Sequence, residues 1–263
     1  MKSIVNNLLH SILLPRGKKF VPDMSLQVGW EKERIVNNRR NVQVLYRTSP
    51  AATHTVILAH PYLADARQFY LKRGYTDMYS TLGCNVVLFD FNGFGESPFK
   101  DFNYEKDWAA VAAFCRLTFP DTQLTGHGIS FGGSHTITYA THNIHGVDKF
   151  IIENTLDSNL SYYKKRNIRL YRLMKFLMRL SSKVNANHDY IQAASSMQHQ
   201  GVLFIYNYSD DLTTISMGNA IMEKCPEPKL MAKFPGKHLE AITLNPDLYK
   251  NTIRNFIFDR SST

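Results

Sequence analysis

Cysteine is scarce in this chain. Cys84, Cys115 and Cys225 are spread over 263 residues with none of the spacings of a metal site. A sparse, odd set excludes a disulfide framework and fits reduced thiols, so the expected location is cytoplasmic. Apolar runs of about 18 residues, which a membrane-spanning helix requires, are missing. Residues 1–14 hold one lysine and an apolar stretch interrupted by asparagines, with no small-residue cleavage site, and read poorly as a signal peptide. There is no repeat, no low-complexity tract and no linker, so one domain over 1–263 is expected.

Acidic residues are absent between Ser158 and His188, a stretch that holds Lys164, Lys165, Arg166, Arg169, Arg172, Lys175, Arg179 and Lys183. The net charge of +9 is therefore concentrated there. Such a local cluster, without a recognition motif, argues against nucleic acid as a partner.

What is present is a succession of short apolar strands and helices. Residues 26–30 and 42–48 read as a leading antiparallel pair. Strands follow at 55–59, 85–89, 123–126, 149–152, 202–206 and 230–234. Helices are expected at 66–81, 104–118, 131–142, 213–224 and 246–257, with a helical insert over about 156–199. Alternation of this kind implies an α/β fold with a mostly parallel sheet flanked by helices. Ligands in such sheets sit beyond the carboxyl ends of the strands.

One strand end carries Gly128-Ile129-Ser130-Phe131-Gly132. A tight strand-to-helix turn forces a strained backbone on its central residue and leaves room only for small neighbours two positions away. Ser130 would then present its hydroxyl at a helix N-terminus, where amides favour developing negative charge. The Gly93–Gly95 loop lacks the lysine of a phosphate loop and the spacing of a dinucleotide site, and reads as a tight turn.

Three further segments complete a pattern. Asp90-Phe91-Asn92-Gly93-Phe94-Gly95-Glu96-Ser97 resembles a D-x-R-G-x-G-x-S loop with Asn92 in the arginine place. His60-Pro61-Tyr62 resembles a His-Gly oxyanion loop with proline for glycine. Gly236-Lys237-His238 resembles a late catalytic-histidine loop. With the serine turn, these motifs resemble the α/β-hydrolase superfamily over roughly residues 50–258, in particular its small esterases and thioesterases with a helical cap. The resemblance implies a core over about 24–155 and 200–260, a cap over about 156–199, and an N-terminal amphipathic segment over 1–20.

It also implies a catalytic Ser130, His238 and Asp210, with Asp211 and Asp157 as alternative acids. The oxyanion donors would be the amide of Phe131 and, because Pro61 has no N–H, that of Tyr62. His127 reads as a core residue and His60 as a local brace for the oxyanion loop. The implied activity is hydrolysis of an ester or thioester with an apolar acyl group. An acyltransferase on the same residues and a non-catalytic binding protein are the rivals. No metal or organic cofactor is implied.

On a helical period, Leu170, Leu173, Met174, Leu177, Leu180 and Val184 share one face opposite the basic residues. Arg169, Arg172, Leu173, Met174 and Leu177 are the candidate contacts to a lipid-like acyl substrate or to an anionic membrane surface. Residues 1–14 are also amphipathic, followed by Arg16, Lys18 and Lys19, which adds to the expectation of peripheral membrane attachment.

Overall fold

The computed structural model describes residues 22–37, 40–179 and 189–258. One eight-stranded sheet runs through them: β1 (Glu31–Asn37), β2 (Arg40–Arg47), β3 (His54–Ala59), β4 (Asn85–Phe89), β5 (Gln123–Ile129), β6 (Lys149–Glu153), β7 (Gly201–Asn207) and β8 (Lys229–Phe234). Their spatial order is β1-β2-β4-β3-β5-β6-β7-β8. The pairs β1–β2 and β2–β4 are antiparallel, and every later pair is parallel.

Helices follow in chain order: α1 (Gln68–Lys72), α2 (Tyr75–Thr81), α3 (Glu105–Thr118), α4 (Phe131–Tyr139), α5 (Asn159–Arg166), α6 (Ile168–Arg179), α7 (Tyr190–Ala194), α8 (Ile215–Lys224), α9 (Ala241–Leu244) and α10 (Pro246–Phe258). The central strands β3 to β7 are almost wholly buried because both faces are covered. In β4, Val87 and Phe89 pack with Trp108 of α3 and Ile137 of α4. Val86 and Leu88 pack on the other side with Tyr75 and Tyr79 of α2 and Ile253 of α10. The sheet is thus the middle of three layers, and its parallel carboxyl ends open on one edge.

Two expected elements differ. Residues 26–30 are not a strand: Asp23 accepts from the Ser25 amide and starts a 3₁₀ turn over Met24–Gln27, and the strand begins at Glu31. The helix expected over 66–81 is two short helices, because Gly74 takes φ +78° between them. Among the described residues, no helix is long and apolar enough to cross a membrane.

α5, α6 and α7 all belong to the insert between β6 and β7. Ser158 and Asp189 form an antiparallel bridge at its neck, and the Tyr190 amide donates to the Asp157 carbonyl at 2.9 Å. The N-terminal amphipathic segment, with residues 1–14, Arg16, Lys18 and Lys19, lies outside the described residues, as do Leu180, Lys183 and Val184.

Candidate active site

Ser130 stands between β5 and α4 with φ 53° and ψ −112°, a region that costs a residue with a side chain roughly 1–3 kcal/mol. The turn closes because of its glycines. A Cβ on Gly132 would stand 1.9 Å from the Ala59 carbonyl oxygen, and one on Gly128 2.2 Å from Thr136 Oγ1. The Ser130 amide donates to the Glu153 carbonyl at 2.8 Å, anchoring the turn to β6.

The histidine and acid come from the two strands at the far side of the sheet. The Tyr208 amide donates to the Phe234 carbonyl at 2.9 Å, and the Ser209 amide to the Gly236 carbonyl at 3.0 Å. These bonds lay the loop after β7 against the loop after β8, where Gly236 turns the chain with φ +116°. His238 Nδ1 meets Asp210 Oδ2 at 2.7 Å, and its Nε2 lies 3.3 Å from Ser130 Oγ.

Asp210 is almost fully buried. Its Oδ1 accepts from the amides of Leu212 (2.8 Å) and Thr213 (2.9 Å). Its Oδ2 accepts from Asn154 Nδ2 at 2.9 Å and from the Thr213 hydroxyl. Burial pushes this carboxyl's pKa up, but hydrogen bonds and charge from His238 and the bonds from Thr213 together outweigh it and hold the group below the usual carboxylate range. An ionised Asp210 fixes His238 with its proton on Nδ1, which leaves Nε2 to accept from a hydroxyl.

The early loop is braced by His60. The Phe91 amide donates to His60 Nε2 at 3.1 Å, so the ring proton sits on Nδ1 and donates to the Pro61 carbonyl at 2.8 Å. Complete burial pushes the His60 pKa down to about 3 and keeps the ring neutral. Tyr62 packs on Phe94 and Phe131, with ring centroids 5.6 and 5.9 Å away. Tyr62, Phe131, Ser130 and His238 all line one cavity of about 490 Å³.

The other expected residues fall elsewhere. Asp211 is exposed, and its carbonyl accepts from Lys165 Nζ. Asp157 sits at the neck of the insert, its carboxylate accepting from Ser158 and Ser161. Neither replaces Asp210 at the histidine. Met174 and Leu177 face the Leu160 and Tyr163 side of α5, while Leu173 is 54% exposed. The buried stripe of α6 is therefore Leu170, Met174, Leu177 and Met178, because Met178 swings the face away from Leu173. Arg169, Arg172, Leu173, Met174 and Leu177 do not line the cavity; its roof is Asn159, Tyr162, Tyr163 and Arg166 of α5. His127 is a buried core residue, as its place in the strand suggested.

Sequence reasoning missed Asn154 and Thr213. The polar run Glu153-Asn154-Thr155 after an apolar strand was the available signal for the first. For the second there was only its place three residues beyond Asp210. Among the described residues, no group of three His, Cys, Asp or Glu side chains is arranged to hold a metal ion.

No family model matches the chain. An uncharacterized protein of Bacillus subtilis (strain 168), YqkD, is 26% identical over 228 residues, 81% of this chain and 74% of that one. Among solved structures, the esterase Pf2001 of Pyrococcus furiosus superposes with a TM-score of 0.72 at 15% identity, covering 92% of this chain and 96% of its own. XC6422 of Xanthomonas campestris, described as an α/β serine hydrolase without a lid, gives 0.63 at 16% identity, covering 88% and 97%.

Proposed function

This chain has the α/β-hydrolase fold, and from that premise we propose that it is a serine hydrolase cleaving a carboxylic ester or thioester through an acyl-enzyme. The observation that carries this reading is the position of one imidazole, 3.3 Å from Ser130 Oγ on one side and 2.7 Å from a buried carboxylate on the other. The esterase and serine hydrolase among the fold neighbours support it.

In the proposed reaction His238 Nε2 takes the Ser130 proton as Oγ attacks the acyl carbonyl. Asp210 stabilises the imidazolium that forms. The amides of Phe131 and Tyr62 receive the oxyanion, each such donor contributing about 3 kcal/mol in the transition state. Collapse expels the alcohol or thiol, protonated by His238. Water, deprotonated by the same nitrogen, then releases the acid and restores Ser130. The mostly apolar cavity wall, with Leu156, Leu212 and Leu239, supports an apolar acyl group.

A fluorophosphonate probe is expected to label the wild type and spare Ser130→Ala. p-Nitrophenyl esters from acetate to palmitate, with acyl-CoA and lysophospholipid substrates, would rank the acyl group. Labelling that persists in Ser130→Ala, or no labelling and no turnover in the wild type, would sink the reading.

A second proposal concerns location. The outer face of α6 exposes Ile168, Leu173 and Phe176 among Arg169, Arg172, Lys175 and Arg179, and residues 158–179 contain no acid. Apolar side chains set among cations suit an anionic lipid surface. Flotation with phosphatidylglycerol vesicles, lost with pure phosphatidylcholine and in Arg169→Glu/Arg172→Glu, is the expected result. Equal flotation on both vesicle types would refute it.

A further inference from the structure

Arg166 stands out in the cavity lining. Among the described residues it is, apart from His238, the one basic side chain there, and no carboxylate lines the space. The surroundings are apolar or neutral: Leu156, Leu212, Leu239, Tyr162, Tyr163. Its guanidinium donates through Nη1 to the Tyr162 hydroxyl at 2.7 Å and lies over that ring, 5.2 Å from the centroid. None of the ion pairs among the described residues involves it.

A plain structural role would have the last residue of α5 hydrogen-bonding the carbonyls of its own helix end. Instead the donor bond runs one turn back to Tyr162, and the exposed guanidinium lies over that ring at the edge of the cavity. Held this way, only one of its five N–H donors is engaged among the described residues, which leaves a fork for a ligand. Nearby charge adds to the effect. Lys164, Lys165 and Arg169 flank it, and Asp157 and Asp210 are spent on Ser158, Ser161 and on His238, Thr213 and Asn154.

Resting on the serine-hydrolase reading, we infer that the substrate is an anionic ester whose carboxylate or phosphate is held by Arg166 while its apolar part fills the cavity. A guanidinium fork matches either group bidentately. It would act on binding and orientation, touching no atom whose bonds change.

Three arms test this and separate the sources of the anion. p-Nitrophenyl half-esters of dicarboxylic acids, against their methyl-capped diesters, put a carboxylate on the acyl side. 4-Acyloxybenzoates, against their methyl esters, put it on the alcohol side. 4-Acyloxyphenyl phosphates, against the phenyl esters, replace it with phosphate. In at least one arm the anionic ester is expected to have about tenfold higher kcat/KM, carried by KM. Arg166→Gln should bring that ratio to about one. Arg166→Lys should keep part of it. Neutral esters equalling or beating anionic ones in every arm, or a preference surviving Arg166→Gln, overturns the inference while Ser130 still labels with fluorophosphonate. Absence of both labelling and turnover in the wild type overturns the underlying reading and this one together.

Discussion

The amide of Ser130 donates to the carbonyl of Glu153 at 2.8 Å, and the carboxylate of the same glutamate gathers a buried network under the serine turn. It accepts from the hydroxyls of Tyr75 (3.0 Å) and Tyr249 (2.6 Å) and meets His127 Nε2 at 3.1 Å. His127 Nδ1 in turn lies 2.9 Å from the Tyr79 hydroxyl. Every member is fully buried, so each polar atom depends on the others for its partner.

Removing the hub should therefore be felt as stability. Glu153→Leu strands two phenols and an imidazole and is expected to cost about 3 kcal/mol in urea unfolding, with Glu153→Gln costing less. Unchanged unfolding midpoints in both variants would mean that the network contributes nothing to the fold.

Thr213 supports the acid and histidine at once. Its hydroxyl donates to Asp210 Oδ2 and lies 3.1 Å from His238 Nδ1. Thr213→Val is expected to lower kcat about tenfold at unchanged KM, and Thr213→Ser to restore most of it. A loss confined to KM would contradict this role.

Gly132 and Gly74 separate space from backbone freedom. At Gly132 an added Cβ meets the Ala59 carbonyl at 1.9 Å, whereas at Gly74, φ +78°, it meets nothing within 4 Å. Gly132→Ala should fold poorly or lose activity, because backbone must move. Gly74→Ala should lose about 1 kcal/mol of stability and keep its activity, which thermal melts and ester assays would show.

His60 makes a pH prediction. Its folded pKa is about 3 against an ordinary 6.5, so unfolding takes up a proton between these values. Stability from this residue is then complete above about pH 6.5 and falls by up to about 1.4 kcal/mol per unit as pH drops toward 3. The His60 ring resonance should not titrate between pH 5 and 8. A titration with midpoint near 6.5 would contradict burial of the neutral ring.

The sequence made the strand ends legible because polar residues there interrupt apolar runs at the spacing of the motifs they resemble. Ser130, His238 and Asp210 were reachable that way. The β1 edge was not. Glu31-Lys32-Glu33-Arg34 looks like a loop, yet it is an exposed edge strand, where charge suits a position that must resist pairing with other chains. Leu26 to Trp30 alternates like a strand but is claimed by the Asp23 cap. In α6 Leu170, Met174 and Leu177 share the buried side as expected, but a further methionine, Met178, displaces its centre and leaves Leu173 on the outer side. Thr213 and Asn154 act only through a fold that brings three strand ends together, and no local pattern announces them.

The pinched neck at Ser158 and Asp189 makes the material above the cavity a removable module. A graft spliced at those two positions would exchange what the pocket accepts while leaving every bond between Ser130, His238 and Asp210 intact. What the pocket admits would then be altered in one contiguous segment, apart from the strand ends that carry Ser130, His238 and Asp210.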